Sequence, residues 1–176
     1  PEPNGYDTLT VTEDFFDYDG DELSYEYRWF LNGLRLDGIL TPTLSLLDYT
    51  RGDDFLVEVR GFDGEEYTDW IRSQSVSLVN TPPTISGLSI NEPTPRSDQM
   101  VSCGYDSFDD FDLDLDQTDI LWVRGGLQVG SGAFLDLDAI DAVPEDRIFC
   151  VATAYDGFDD GNTCLLYTSP SPRDRS

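Results

Sequence analysis

The sequence predicts an all-β protein: two tandem copies of one small β-sandwich. Three observations predict it. The chain repeats at a fixed spacing, its apolar residues alternate with period two in short runs, and no long helical stripe competes. A shift of 93 positions carries Trp29 onto Trp122 and Phe62-Asp63-Gly64 onto Tyr155-Asp156-Gly157. The same shift carries Asp17, Asp19 and Asp21 onto Asp110, Asp112 and Asp114. It also takes Asp53 to Asp146, Val57 to Cys150 and Leu44 to Leu137.

The elements follow in order. In the first copy Leu9 and Val11 alternate with threonines, as in a half-buried strand. Leu23, Tyr25, Tyr27 and Trp29 share one face of the next strand, with Ser24, Glu26 and Arg28 on the other. Asn32-Gly33 is a hairpin-type turn. Leu44 and Leu46 begin a further strand; Phe55, Val57 and Val59 share a face opposite Glu58 and Arg60. After the Asp63-Gly64 turn, a strand over 73–79 closes the copy. The second copy is read as an opening strand over 84–90, then strands at 100–103, 120–122, 135–137 and 148–154. The expected division is 1–80 and 85–163, joined by the short proline-bearing linker 81–84. Trp29, Trp122, Val11 and Val57 are the expected core positions.

Composition narrows the function. Ten basic against 36 acidic side chains leave a net charge of −26, which repels nucleic acid and anionic membrane surfaces and attracts divalent cations. No histidine or lysine is present, which removes imidazole bases and ligands, Schiff bases and the P-loop lysine. Paired carboxylates are unavoidable among 36 acids, and none is singled out as a glycosidase pair. No apolar run approaches the roughly 20 residues a membrane-spanning helix needs. An aromatic content of 12% argues against the disorder that high charge otherwise suggests. The chain is therefore expected not to be an enzyme, a nucleic-acid binder or a membrane-inserted protein.

The motif D-x-D-G-D-x-L-x-Y-x-Y-x-W-x-x-N-G over 17–33, Gly52-Asp53, and Asn80-Thr81-Pro82-Pro83 resemble tandem bacterial immunoglobulin-like repeats. They are also similar to the PKD and cadherin-like modules of surface and secreted proteins. The resemblance covers 1–163 and implies Greek-key sandwiches acting as spacers, stalks or adhesion modules. The second copy departs from it, with Leu113 at the glycine position and Gly125-Gly126 in place of Asn-Gly. With Cys164 set aside, Cys103 and Cys150 flank Trp122, which is the immunoglobulin order of two bridged cysteines around a core tryptophan. The alternative is a pair of buried thiols; the tryptophan placement favours the bridge, and with it an oxidising compartment. Val11 and Val57 take the cysteine positions in the first copy.

The ends read differently. CLLYTSPSPRDRS, residues 164–176, is similar to a translated sequencing adapter and is set aside as a non-native tail. The first copy is expected to lack its opening strand and the second its own last strand, so that any strand over 165–168 occupies that slot as a foreign segment.

Two sets of candidate residues remain. Asp17, Asp19 and Asp21, and their counterparts Asp110, Asp112 and Asp114, present carboxylate oxygen at alternate positions, as a hard cation such as Ca²⁺ prefers. Asp63 and Asp156 lie in the turns that a sandwich brings to the same end. The alternative is solvated turns, which the acidic composition favours. Tyr67 and Trp70 follow the Asp63-Gly64 turn and are candidates for glycan binding. The expected function is a secreted or cell-surface structural repeat contacting neighbouring repeats, with Ca²⁺ as its one candidate ion. The rival is a carbohydrate- or other ligand-binding β-sandwich module.

Overall fold

The computed structural model describes residues 2–18 and 20–171. The chain divides into two compact units, Pro1–Thr81 and Pro82–Ser176. Among the described residues there is no helix, and so none long and apolar enough to cross a membrane.

The first unit has strands β1 (Thr8–Thr10), β2 (Ser24–Leu31), β3 (Leu34–Arg35), β4 (Thr43–Ser45), β5 (Asp54–Phe62), β6 (Ile71–Arg72) and β7 (Val76–Ser77). β1 pairs with β4; in the other sheet β3, β2 and β5 run in order, and both β6 and β7 pair with β5. Alternation decides what is buried. Tyr27 and Trp29 of β2 and Phe55, Val57 and Val59 of β5 point inward, where they meet Leu44, Leu46 and Leu78. Burying each such large side chain stabilises by roughly 1.5–3 kcal/mol. Val11 is only partly buried and packs against the margin of this core. Of the expected strand over 73–79 only Val76–Ser77 forms, as β7, and the separate β6 lies just ahead of that span at Ile71–Arg72. Between them the Ser73 hydroxyl accepts the Val57 amide at 3.0 Å, replacing a ladder bond.

The second unit has β8 (Thr84–Ser86), β9 (Ser89–Ile90), β10 (Met100–Gly104), β11 (Ser107–Asp109), β12 (Asp119–Arg124), β13 (Leu127–Ser131), β14 (Phe134–Asp136), β15 (Ile148–Tyr155) and β16 (Asp160–Thr168). One sheet runs β13-β12-β15-β16; facing it are β14-β10-β9 and the pair β11-β8. Val101, Trp122, Leu135, Leu137 and Ile148 fill the space between them. A disulfide joins Cys103 of β10 to Cys150 of β15, with Cα atoms 6.5 Å apart. Trp122 is the register partner of Cys150, as Trp29 is of Val57. The expected strand over 84–90 is two strands with different partners. Gly87 lies between them at φ 72°, where an added Cβ would meet the Asp106 carboxylate.

The hydrogen bonds repeat with the fold, and they correct the single shift of 93. The Val11 amide donates to the Pro42 carbonyl and the Cys103 amide to that of Ala133, both at 2.8 Å. The Trp29 indole donates to the Thr41 carbonyl and the Trp122 indole to that of Gly132, both at 3.0 Å. Leu44 therefore matches Leu135, and Leu46 matches Leu137. The reason is that the connection from the tryptophan strand to the next inward leucine is two residues shorter in the second copy.

The segment set aside as a tail does not stand apart as far as it is described. β16 runs through Cys164 to Thr168 and pairs with β15 from Ile148↔Thr168 to Tyr155↔Asp160. Thr168 is buried and its hydroxyl donates to the Glu92 carbonyl at 3.0 Å. Leu165, Leu166, Tyr167 and Thr168 suit a strand, and β15 offers them an edge.

Candidate functional site

The acidic loops are built alike in the two units. In the first, Asp17 Oδ1 accepts the Gly20 amide at 2.8 Å and the Asp21 amide at 3.2 Å. In the second, Asp110 Oδ1 accepts the Asp114 amide at 2.7 Å. The following turns match too. Asp63 Oδ1 accepts the amides of Glu65 and Glu66, both at 2.7 Å, and Asp156 Oδ1 those of Phe158 and Asp159 at 2.7 and 2.8 Å. Each aspartate holds its own turn by bonding to amides two to four residues on.

What the loops then do differs. In the second unit Asp110, Asp114 and Asp156 come together, with one carboxylate oxygen from each lying within 4.8 Å of the others. Asp156 is 2% exposed. Gln117 ties the two loops together: its amide donates to the Tyr155 carbonyl at 2.8 Å and its side chain to the Asp156 carbonyl at 3.4 Å. The sequence reading did not single out Gln117; its first-unit counterpart is the shorter Ser24, which gave no signal. Asp110 Oδ2 is buried and has no hydrogen-bond partner. Burial chiefly, then the charges of Asp114, Asp156 and Asp112, push the Asp110 carboxyl above its ordinary range, against the lowering effect of the Asp114 amide. Asp63 is held below the ordinary range by the Glu66 and Glu65 amides.

Of the candidate ligands, Asp112 is outside the group. The chain turns at Phe111 and Asp112, so alternate residues do not share a face there. Asp17, Asp21 and Asp63 form no comparable group among the described residues, and Asp19 lies outside them. With three carboxylates and no imidazole or thiolate, the cluster offers only hard, anionic oxygen. That donor set suits a divalent cation of the calcium or magnesium type.

The candidate glycan platform is already occupied. Trp70 is partly buried, not exposed, and the Arg28 guanidinium lies over its ring at 3.6 Å, with that of Arg60 at 4.6 Å. Tyr67 is exposed but stacks on Phe62 at 4.4 Å and carries Arg60 at 3.8 Å. A sugar would have to displace these cations from the ring faces it stacks on.

The paired sheets, the inter-sheet bridge and the tryptophan beside it define an immunoglobulin-like β-sandwich. No family model matches the sequence, and no curated protein is similar to it. Several solved structures are. One is a two fibronectin type III domain segment from chicken tenascin, at 12% identity over 96% of this chain and 95% of that one, with a TM-score of 0.47. Another is the amphioxus IgVJ-C2 molecule, at 14% identity over 96% and 98%, with a TM-score of 0.40. A third comprises the FN1–FN3 domains of chicken CNTN1, at 12% identity over 92% and 61%, with a TM-score of 0.37.

Proposed function

We propose that the chain is a non-catalytic structural or adhesion repeat of a secreted or cell-surface protein, and that its second unit takes up a calcium ion. One observation carries the calcium reading. Three carboxylates from two loops converge within 4.8 Å, and one buried oxygen among them, Asp110 Oδ2, has no hydrogen-bond donor. Buried polar atoms are ordinarily satisfied, and like charges this close oppose folding unless neutralised. A cation would relieve both faults at once and lock the Asp110 loop to the Asp156 turn. Main-chain carbonyls and water would complete the six to eight oxygens that calcium takes. The modules are of the bacterial immunoglobulin-like, PKD and cadherin-like kind, and their partners are neighbouring repeats and a protein or glycan ligand. The disulfide fits an oxidising compartment. We infer that residues 164–176 are adapter-encoded, on the likeness of CLLYTSPSPRDRS to a translated sequencing adapter; the nucleotide sequence of the gene tests it.

Thermal melting of the whole chain in millimolar calcium, and again in chelator, tests the calcium reading. The expected result is a higher melting temperature with calcium. An unchanged temperature removes calcium from the account and leaves the bare structural repeat.

A further inference from the structure

The two units differ along one edge. In the second, β9 pairs with β10 through Cys103↔Ile90 and Gly104↔Ser89, and the Asn91 amide donates to the Ser102 carbonyl at 3.0 Å. Ile85, Leu88 and Ile90 pack against the core from this side. Asn162 clasps Ile85 by two bonds, of 2.7 and 2.9 Å, tying β8 to β16. The seven residues 84–90 thus fill the gap between β10 and β16.

In the first unit β1 corresponds to β10, since Leu9↔Leu44 and Val101↔Leu135 occupy the same place in the ladder. The Val11 amide faces β4 through Pro42, so the amides and carbonyls of Thr8, Thr10 and Thr12 face the other way. Among the described residues no strand pairs with that side of β1. Beside it lie two adjoining hollows of about 280 and 260 Å³, between the Leu9–Phe15 stretch and β5 to β7. Val11, Trp29, Phe55 and Val57 line them from within, and Ile71 and Val76 at the rim are exposed.

We propose that this groove is a strand-docking site. It takes an extended, uncharged segment in which small polar residues alternate with branched aliphatic ones, pairing antiparallel with β1. The second unit is the template: its TISGLSI, residues 84–90, has this chemistry and fills the equivalent gap by the established β9–β10 pairing. Charge selects the occupant further. Glu13, Asp14 and Arg72 line one end of the groove, two acids against one base, and the chain is strongly acidic, so an acidic strand is repelled. Main-chain pairing supplies the affinity and the apolar hollows select the side chains.

The probe is a synthetic peptide of residues 82–91, added to the whole isotope-labelled chain. The expected result is a one-to-one complex in which the Thr10 and Thr12 amides shift and become protected from exchange. Thr10→Pro removes an amide that no bond within the fold uses, and it should abolish binding while the first unit stays folded. Absence of binding, protection elsewhere than β1, or undiminished binding by Thr10→Pro would each overturn the proposal, as would equal binding of a peptide with Ile85, Leu88 and Ile90 changed to serine.

Discussion

Leu113 stands where Gly20 stands in the first unit, and both have a left-handed backbone, at φ 62° and 84°. Glycine adopts this conformation freely, whereas a leucine Cβ meets the following carbonyl. Leu113 is also 87% exposed, so its side chain gains little from burial. Leu113→Gly should therefore stabilise the second unit by about 1 kcal/mol, relief of strain outweighing the entropy glycine loses. Chemical denaturation of the second unit checks the sign. A destabilised variant would mean that the leucine makes a contact that holds the acidic loop.

Asp110 predicts a pH dependence. Its folded pKa is raised, chiefly by burial and then by the neighbouring carboxylates. The folded state then binds the proton more tightly than the unfolded state. The stability it contributes is full below the unfolded carboxyl value and is lost as pH rises through the folded one. In chelator, the second unit should lose stability as pH rises through the folded pKa of Asp110. Asp110→Asn keeps Oδ1 for the Asp114 amide but cannot ionise, so it should flatten that slope and melt higher at neutral pH. Melting curves against pH, with and without the substitution, decide it; parallel curves would contradict the expectation.

The disulfide closes a loop with a sequence separation of 47 residues. In the chain-entropy account such a closure stabilises by about 4 kcal/mol. Reduction, or paired Cys103→Ala and Cys150→Ala substitutions, should destabilise the second unit by up to that amount and leave the first unchanged. Exchange protection of β2 and β5 against that of β12 and β15 separates the two responses.

Val11 and Val57 occupy the positions of Cys103 and Cys150. The Val11–Pro42 bond matches the Cys103–Ala133 bond, and Val57 partners Trp29 as Cys150 partners Trp122. The double substitution Val11→Cys and Val57→Cys should therefore form a bridge. It should raise the first unit's stability by up to about 4 kcal/mol, less the apolar volume lost with the valines. Thiol titration and melting check the bond and its effect. Two persistent free thiols would show that the equivalence fails in geometry.

Much of this was legible in the residues because repetition and period-two burial are local signals. Trp29 and Trp122 announce their strands, and the Asp-Gly turns after β5 and β15 sit where the chain reverses. A rigid shift of 93 could not register the shortened connection after Trp122, which misassigned Leu137. Nor could alternation sort the aspartates. It grouped Asp112 with Asp110 and Asp114, whereas the turn at Phe111 and Asp112 leaves the i and i+4 residues together and brings in Asp156 from a distant loop. That the two turns share one end of the sandwich was legible from the fold class and had put Asp156 among the candidates; the Gln117 bridge between the loops was not, being a tertiary feature without a sequence pattern. Trp70 is similar: its arginine neighbours Arg28 and Arg60 come from adjacent strands and cannot be read from its own segment.

The central claim is that Asp110, Asp114 and Asp156 form one cation site. Calorimetric titration of calcium into the chelator-stripped whole chain and into its Asp156→Asn variant tests it most directly, because asparagine keeps the Oδ1 that accepts the Phe158 and Asp159 amides. Saturable binding to the parent chain that is lost in the variant is the predicted result. No heat of binding at millimolar calcium, or binding that survives Asp156→Asn unchanged, would contradict it.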